Sequence, residues 1–164
     1  MIFQKKIIKT KGTAIVEILL AVGIIVTLSI AAVSYYSSQQ RIKTLENATV
    51  LIVNHLRYSQ QKAITQEENS SWGVRFENPA GSGNDFYGLF KGTSYTPPPR
   101  ERMKLTESLE FTDPADNSGK NIVFEALTGK LSSPTSISVT VRIIGTNIVA
   151  IITVNPQGTI SVEK

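Results

Sequence analysis

Hydrophobic and polar positions along the chain fall into three regimes. From Thr13 to Val33 nearly every residue is apolar, and Glu17 is the single charge. From Tyr35 to Gln66 the pattern turns amphipathic: Leu45, Thr49, Ile52, Leu56 and Ala63 recur at spacings of three, four or seven, and no Gly or Pro interrupts them. That spacing places them on one face of an α-helix. The two regimes join without a breaker, so they predict one long helix from about Thr13 to Gln66, roughly 80 Å at 1.5 Å per residue. Gly23 is the one flexible point in its apolar half, either a small-residue packing contact or a place where the helix melts.

The third regime begins after the turn-prone Asn69-Ser70-Ser71. Short alternating runs follow at Trp72 to Glu77 and Asp85 to Lys91, separated by a loop rich in Gly, Pro and Asn, and they predict a hairpin. Thr93 to Arg102 holds Pro97-Pro98-Pro99, which favours an extended surface segment rather than a paired strand. Further runs lie at Ser108 to Phe111, Asn121 to Glu125, Ile137 to Ile144, Ile148 to Val154 and Thr159 to Val162. Gly145-Thr146-Asn147 and Asn155-Pro156-Gln157-Gly158 supply the last two turns. The expected fold class is α+β, one long N-terminal helix packed against an antiparallel β-sheet meander.

The apolar run of about 21 residues is long enough to cross a bilayer core of roughly 30 Å. Lys5, Lys6, Lys9 and Lys11 precede it and the next charge beyond it is Arg41, which predicts an N-terminus in the cytoplasm and an exported C-terminal bulk. An ordinary secretory signal has a shorter apolar region followed by its cleavage site, whereas here the processing candidate precedes the run. A carboxylate at the depth of Glu17 costs about 2.5 to 3.5 kcal/mol, so it needs a partner or a purpose.

The leader ending in Lys11-Gly12, followed by an apolar helix with Glu17 as the fifth residue after the glycine, resembles the class III signal of type IV prepilins and type II secretion pseudopilins. The resemblance implies cleavage between Gly12 and Thr13 by a prepilin peptidase, with Thr13 as a new and often N-methylated N-terminus. Thr13 departs from the family's usual Phe, which bears on methylation more than on cleavage. The resemblance also implies that Glu17 of an incoming subunit attracts the N-terminal amine of its neighbour, an opposite-charge contact favoured in low dielectric. The plainer reading keeps Glu17 within reach of headgroups and Lys11. The implied organisation is 1–12 leader, 13–33 transmembrane or filament-core helix, 34–68 amphipathic continuation and 69–164 exported β-rich domain. Implied partners are the prepilin peptidase, other pilin or pseudopilin subunits, and the inner membrane before assembly.

A looser likeness spans the rest of the chain. Leu56 to Ile64 on the helix, Trp72-Gly73-Val74-Arg75-Phe76 as first strand, Ile122-Val123-Phe124 with Thr128-Gly129, and Ile151 to Ile160 containing Pro156-Gln157-Gly158 are similar to H-type pseudopilins and T-type fimbrial minor pilins. The function so implied is a structural minor pilin or pseudopilin subunit of a type IV pilus or a type II secretion pseudopilus. Two alternatives remain open at this point, a pilus-borne module that binds DNA or a surface, and an uncleaved single-pass membrane protein.

Composition narrows the chemistry. The chain has 17 Lys and Arg against 13 Asp and Glu, for a net charge of +4. Four of the lysines precede Thr13, so a chain beginning there is balanced and offers no general attraction for nucleic acid. With no Cys and a single His, His55, neither a thiolate zinc site, a multi-histidine metal site nor a His-paired cysteine can be built. Glu67-Glu68 and Glu107 with Glu110 read as solvated faces. No cofactor, metal or catalytic residue is expected, and the chain is not read as an enzyme. Arg100, Arg102 and Lys104, beside the prolines and Tyr95, form the strongest basic cluster. They could hold a phosphate backbone, although Glu101 interrupts them and a solubilising loop is the favoured reading.

Overall fold

The computed structural model describes residues 13–81 and 84–164, with side chains described at all of these except 13 and 30–35. The N-terminal helix α1 runs Thr13–Ile64. A single 3-10 turn at Glu67–Asn69 follows it. Eight strands come next: β1 Trp72–Asn78, β2 Phe86–Lys91, β3 Glu101–Lys104, β4 Leu109–Asp113, β5 Ser118–Phe124, β6 Ile137–Ile143, β7 Val149–Val154 and β8 Ile160–Glu163. By its internal contacts the chain divides after Gln40 into two units.

The described part of the first unit is the opening of α1. Ten large apolar side chains between Ile15 and Leu28 are each more than half exposed. The Thr27 and Ser29 hydroxyls donate back to carbonyls one turn earlier, which satisfies them without outside partners. A Cβ at Gly23 would meet nothing within 4 Å, so no described residue of this chain packs on it. Among the described residues no helix is long and apolar enough to cross a membrane, so the span expected at 13–33 rests on the sequence alone.

In the second unit the strands form two four-stranded antiparallel sheets, in the orders β3-β2-β1-β5 and β4-β6-β7-β8. The expected single meander is therefore split. The β1–β2 hairpin and the β6-β7-β8 meander form as their turn residues dictate, with Gly145 (φ 76°) and Gly158 (φ 84°) at the two last turns. The break comes at β5, which crosses back to pair with β1, while β4 joins β6. Burial on one face alone did not say which strand would be its neighbour.

The predicted helix face is the buried one. Leu45, Thr49, Ile52, Leu56 and Ala63 are all under 5% exposed. They join one core with Trp72, Val74 and Phe76 of the first sheet and Val139, Val141, Ile152 and Val154 of the second, apart from Thr49, whose hydroxyl donates to the Leu45 carbonyl at 2.7 Å. Burial on this scale is the main stabilising term. Helix α1 ends at Ile64, two residues before the expected stop, and Gln66, Glu68 and Asn69 take positive φ instead.

A second apolar layer lies on the other face of the first sheet. Phe86, Phe90 and Val123 are buried there, outside the main core. The segment 92–100 covers part of this layer: Tyr95 packs edge-on against Phe90 with centroids 5.5 Å apart, and Pro99 lies so close over Gly88 that a Cβ there would sit 2.7 Å from the proline. The prolines thus form a covering strap, and β3, absent from the sequence reading, starts where the strap ends.

Candidate functional site

Two groups of residues were singled out by sequence, and the structure treats them differently. Lys11 and Gly12 lie outside the described residues. Thr13 is the first residue of α1, and Glu17 sits one turn further on, exposed among the bare apolar side chains of Ile15, Val16, Ile18, Leu19 and Leu20. Exposed apolar surface of this extent is of the kind that marks contacts with lipid or with other proteins.

The basic cluster comes apart. Arg100 lies over the Trp72 ring at 5.2 Å and forks onto both oxygens of Glu68, with Nη2 to Oε2 at 2.8 Å. Lys91 donates to the same carboxylate at 2.8 Å. The hydrogen bond from Lys91, then that from Arg100, holds the Glu68 carboxyl below the ordinary glutamate value. Arg102 stacks on Phe86, 3.7 Å from the ring centroid, and Lys104 pairs with Glu107 at 3.2 Å. Each cation is already held by an acid or an aromatic face, so the cluster presents no open row of phosphate donors. Tyr95 is likewise occupied, by Phe90 and by Arg75 at 5.2 Å.

The carboxylate pairs are ion pairs rather than acid and base partners. Glu67 meets Lys62, and Glu110 meets Arg142 at 2.6 Å. His55 packs edge-on against Tyr87, centroids 5.5 Å apart, with Nδ1 donating to the Leu51 carbonyl at 2.9 Å. Among the described residues no group of His, Cys, Asp or Glu could hold a metal ion.

Three features escaped the sequence reading. Gln60 donates through Nε2 to the carbonyls of Gly129 at 2.8 Å and Gly158 at 3.0 Å, tying α1 to two turns. Buried Asn78 donates to the carbonyls of Phe111 and Pro114, and buried Asp85 accepts the Phe111 N–H. Leu127 stands 64% exposed with φ 70°. Only the turn glycines offered a signal for the first of these; long-range polar contacts and a positive φ at leucine leave none.

An N-terminal helix whose inner face packs on antiparallel sheets is a pilin-like arrangement. Two crystal forms of the Pseudomonas aeruginosa type IV minor pilin FimU share this fold with the chain. The P65 form matches with a TM-score of 0.51 and 14% identity over 73% of this chain and 93% of that one. The P21 form matches with a TM-score of 0.53 and 14% identity over 73% and 88%. No protein-family model matches the sequence, and no curated protein does.

Proposed function

We propose that the chain is a minor pilin or pseudopilin subunit, of the H-type or T-type fimbrial kind. In this reading residues 13–33 hold it in the inner membrane with the N-terminus in the cytoplasm and the domain exported. Prepilin peptidase cuts between Gly12 and Thr13, and α1 then carries the subunit into a type IV pilus or a type II secretion pseudopilus. The role is structural, with no reaction of its own.

One observation carries the reading: a domain of pilin-like fold bears a helix with ten bare apolar side chains and a lone acid, Glu17, near its start. Such a helix needs a low-dielectric surround, either lipid or the helices of other subunits. Once Thr13 has a free amine, Glu17 of one subunit and that amine of another offset each other's desolvation in this surround.

N-terminal sequencing of protein extracted from membranes tests the reading. The expected first residue is Thr13, with or without a methyl group, and an intact Met1 overturns the proposal. Substitution of Gly12 blocks processing, whereas Glu17→Ala leaves processing intact and impairs assembly.

A further inference from the structure

The domain carries a strained apolar knob near one end of the domain part of α1 and an apolar groove near the other. The knob is Leu127. Its φ of 70° lies in the left-handed region that bulky side chains avoid, and its side chain stands 64% exposed. The conformation is fixed from both sides: the Leu127 N–H donates to the Ala63 carbonyl at 3.0 Å, and the Gly129 N–H donates to the Glu125 carbonyl at 3.0 Å. These hydrogen bonds, one of them closing the end of α1, account for the backbone turn, but they leave the leucine side chain in solvent, where it adds nothing to the core. A partner for that side chain would give it a role.

The groove has a volume of about 240 Å³ and is lined by Ile42, Leu45, Glu46, Asn147, Ile148, Val149 and Lys164. Its floor is apolar, and Ile148 is 41% exposed at its rim. Leu45 and Ala63 are separated along α1 by roughly 27 Å, so knob and groove cannot meet within one copy. The charges around them match in pairs. Exposed Glu125 and Lys130 flank Leu127, while Lys164 and Glu46, 2.8 Å apart, flank the groove.

We propose that Leu127 of one copy inserts into the groove of a second copy, with Glu125 facing Lys164 and Lys130 facing Glu46. The contact is head-to-tail: each copy still offers a free knob at one end and a free groove at the other, so it propagates along a line instead of closing a dimer. It rests on the reading of the chain as an assembling subunit and adds the contact made by the domain, separate from the one made by the apolar helix.

The absence of Cys makes the test direct. Full-length L127C and I148C variants are purified in detergent micelles, mixed and oxidised. The mixed disulfide should form at least about tenfold faster than the one between L127C and S136C, an exposed control. In parallel, L127G relieves the strain, so its domain unfolds at the same or higher temperature than the native chain, while self-association in sedimentation weakens by about tenfold or more, the scale of one lost leucine contact. Loss of association without loss of stability supports the contact. Association that persists in L127G, or a mixed disulfide no faster than the control, overturns this contact and leaves the assembly reading standing. Failure of the chain beginning at Thr13 to associate at all overturns both.

Discussion

Asn78 Nδ2 donates to the backbone carbonyl of Phe111 at 2.8 Å, across the boundary between the two sheets. The same amide reaches the Pro114 carbonyl at 2.9 Å, so one buried side chain at the end of β1 fastens both β4 and the residue that follows it. Removing it leaves two carbonyls without their donor, each worth about 1 to 3 kcal/mol when desolvated. Asn78→Ala should therefore destabilise the domain by about 2 to 4 kcal/mol, read as a lower urea midpoint. A loss under about half a kcal/mol, the level of an ordinary surface change, would show that the sheets do not depend on this contact.

The Gln60 amide makes an equivalent fastening between α1 and the turns at Gly129 and Gly158. Gly158 has φ 84°, and a Cβ there would lie 2.4 Å from the Gly129 carbonyl oxygen. Gly158→Ala should cost at least about 2 kcal/mol, since it adds both strain and a backbone clash. Gln60→Ala should cost about 1 to 2 kcal/mol, from two carbonyls that can recruit water in part. Both changes act on the same carbonyls, so the double variant should lose less than the sum of the singles. Additive losses in a double-mutant cycle would mean that the two residues stabilise the domain separately.

Acidity separates two carboxylates of opposite behaviour. Burial lifts the Asp85 carboxyl above its ordinary value of 3.8, against the lowering effect of the Phe111 N–H. An acid with a raised folded pKa binds its proton more tightly when folded, so its ionisation weakens the fold as pH rises from the unfolded value through the folded one. Glu68 runs the other way: its folded pKa lies below the ordinary 4.5, so its contribution is present above that value and is lost as pH falls through the folded pKa. Asp85→Asn isolates the first term. Urea midpoints between pH 7 and pH 4 should show the native chain gaining on the variant as the solution is acidified. Parallel curves for the two chains would rule out Asp85 as a titrating group in that window.

Much of the fold was written in short-range pattern. The period of Leu45, Ile52, Leu56 and Ala63 marked the buried helix face, and Asn155-Pro156-Gln157-Gly158 marked the last turn, because both are local consequences of side-chain spacing and backbone freedom. Sheet membership was not local. The return of β5 to β1 pairs Trp72 with Phe124, 52 positions apart, and alternation is satisfied equally well by a neighbour in either sheet. β3 was hidden by its own strap, since three prolines argue against pairing only up to Arg100, where they stop. For the candidate site, Glu17 stood out because a charge in an apolar run is rare. Leu127 could not stand out, because a leucine in a polar loop looks ordinary until its φ is known.

The basic cluster makes the last prediction, and it is a negative one with a positive control. A protein that neutralises several phosphates shows binding that falls steeply with salt, with a slope near −0.9 for each contact on duplex DNA. Arg100 and Lys104 are held by carboxylates, and Arg102 lies on the Phe86 ring, so taking up phosphates would mean giving up these contacts. The chain beginning at Thr13 should show no micromolar, salt-steep binding to duplex DNA, and changing Arg100, Arg102 and Lys104 to Ala should leave the measurement unchanged. The control is the fluorescence of Trp72, the one tryptophan of the chain, whose ring lies under Arg100 and Lys62 and whose Nε1–H donates to the Glu67 carbonyl at 2.9 Å. Arg100→Ala removes a cation from one face of that ring and a partner from Glu68, so the emission should shift even though nucleic acid binding does not. Steep salt-dependent binding lost in the triple variant would reverse the assignment and make the strap a nucleic-acid contact.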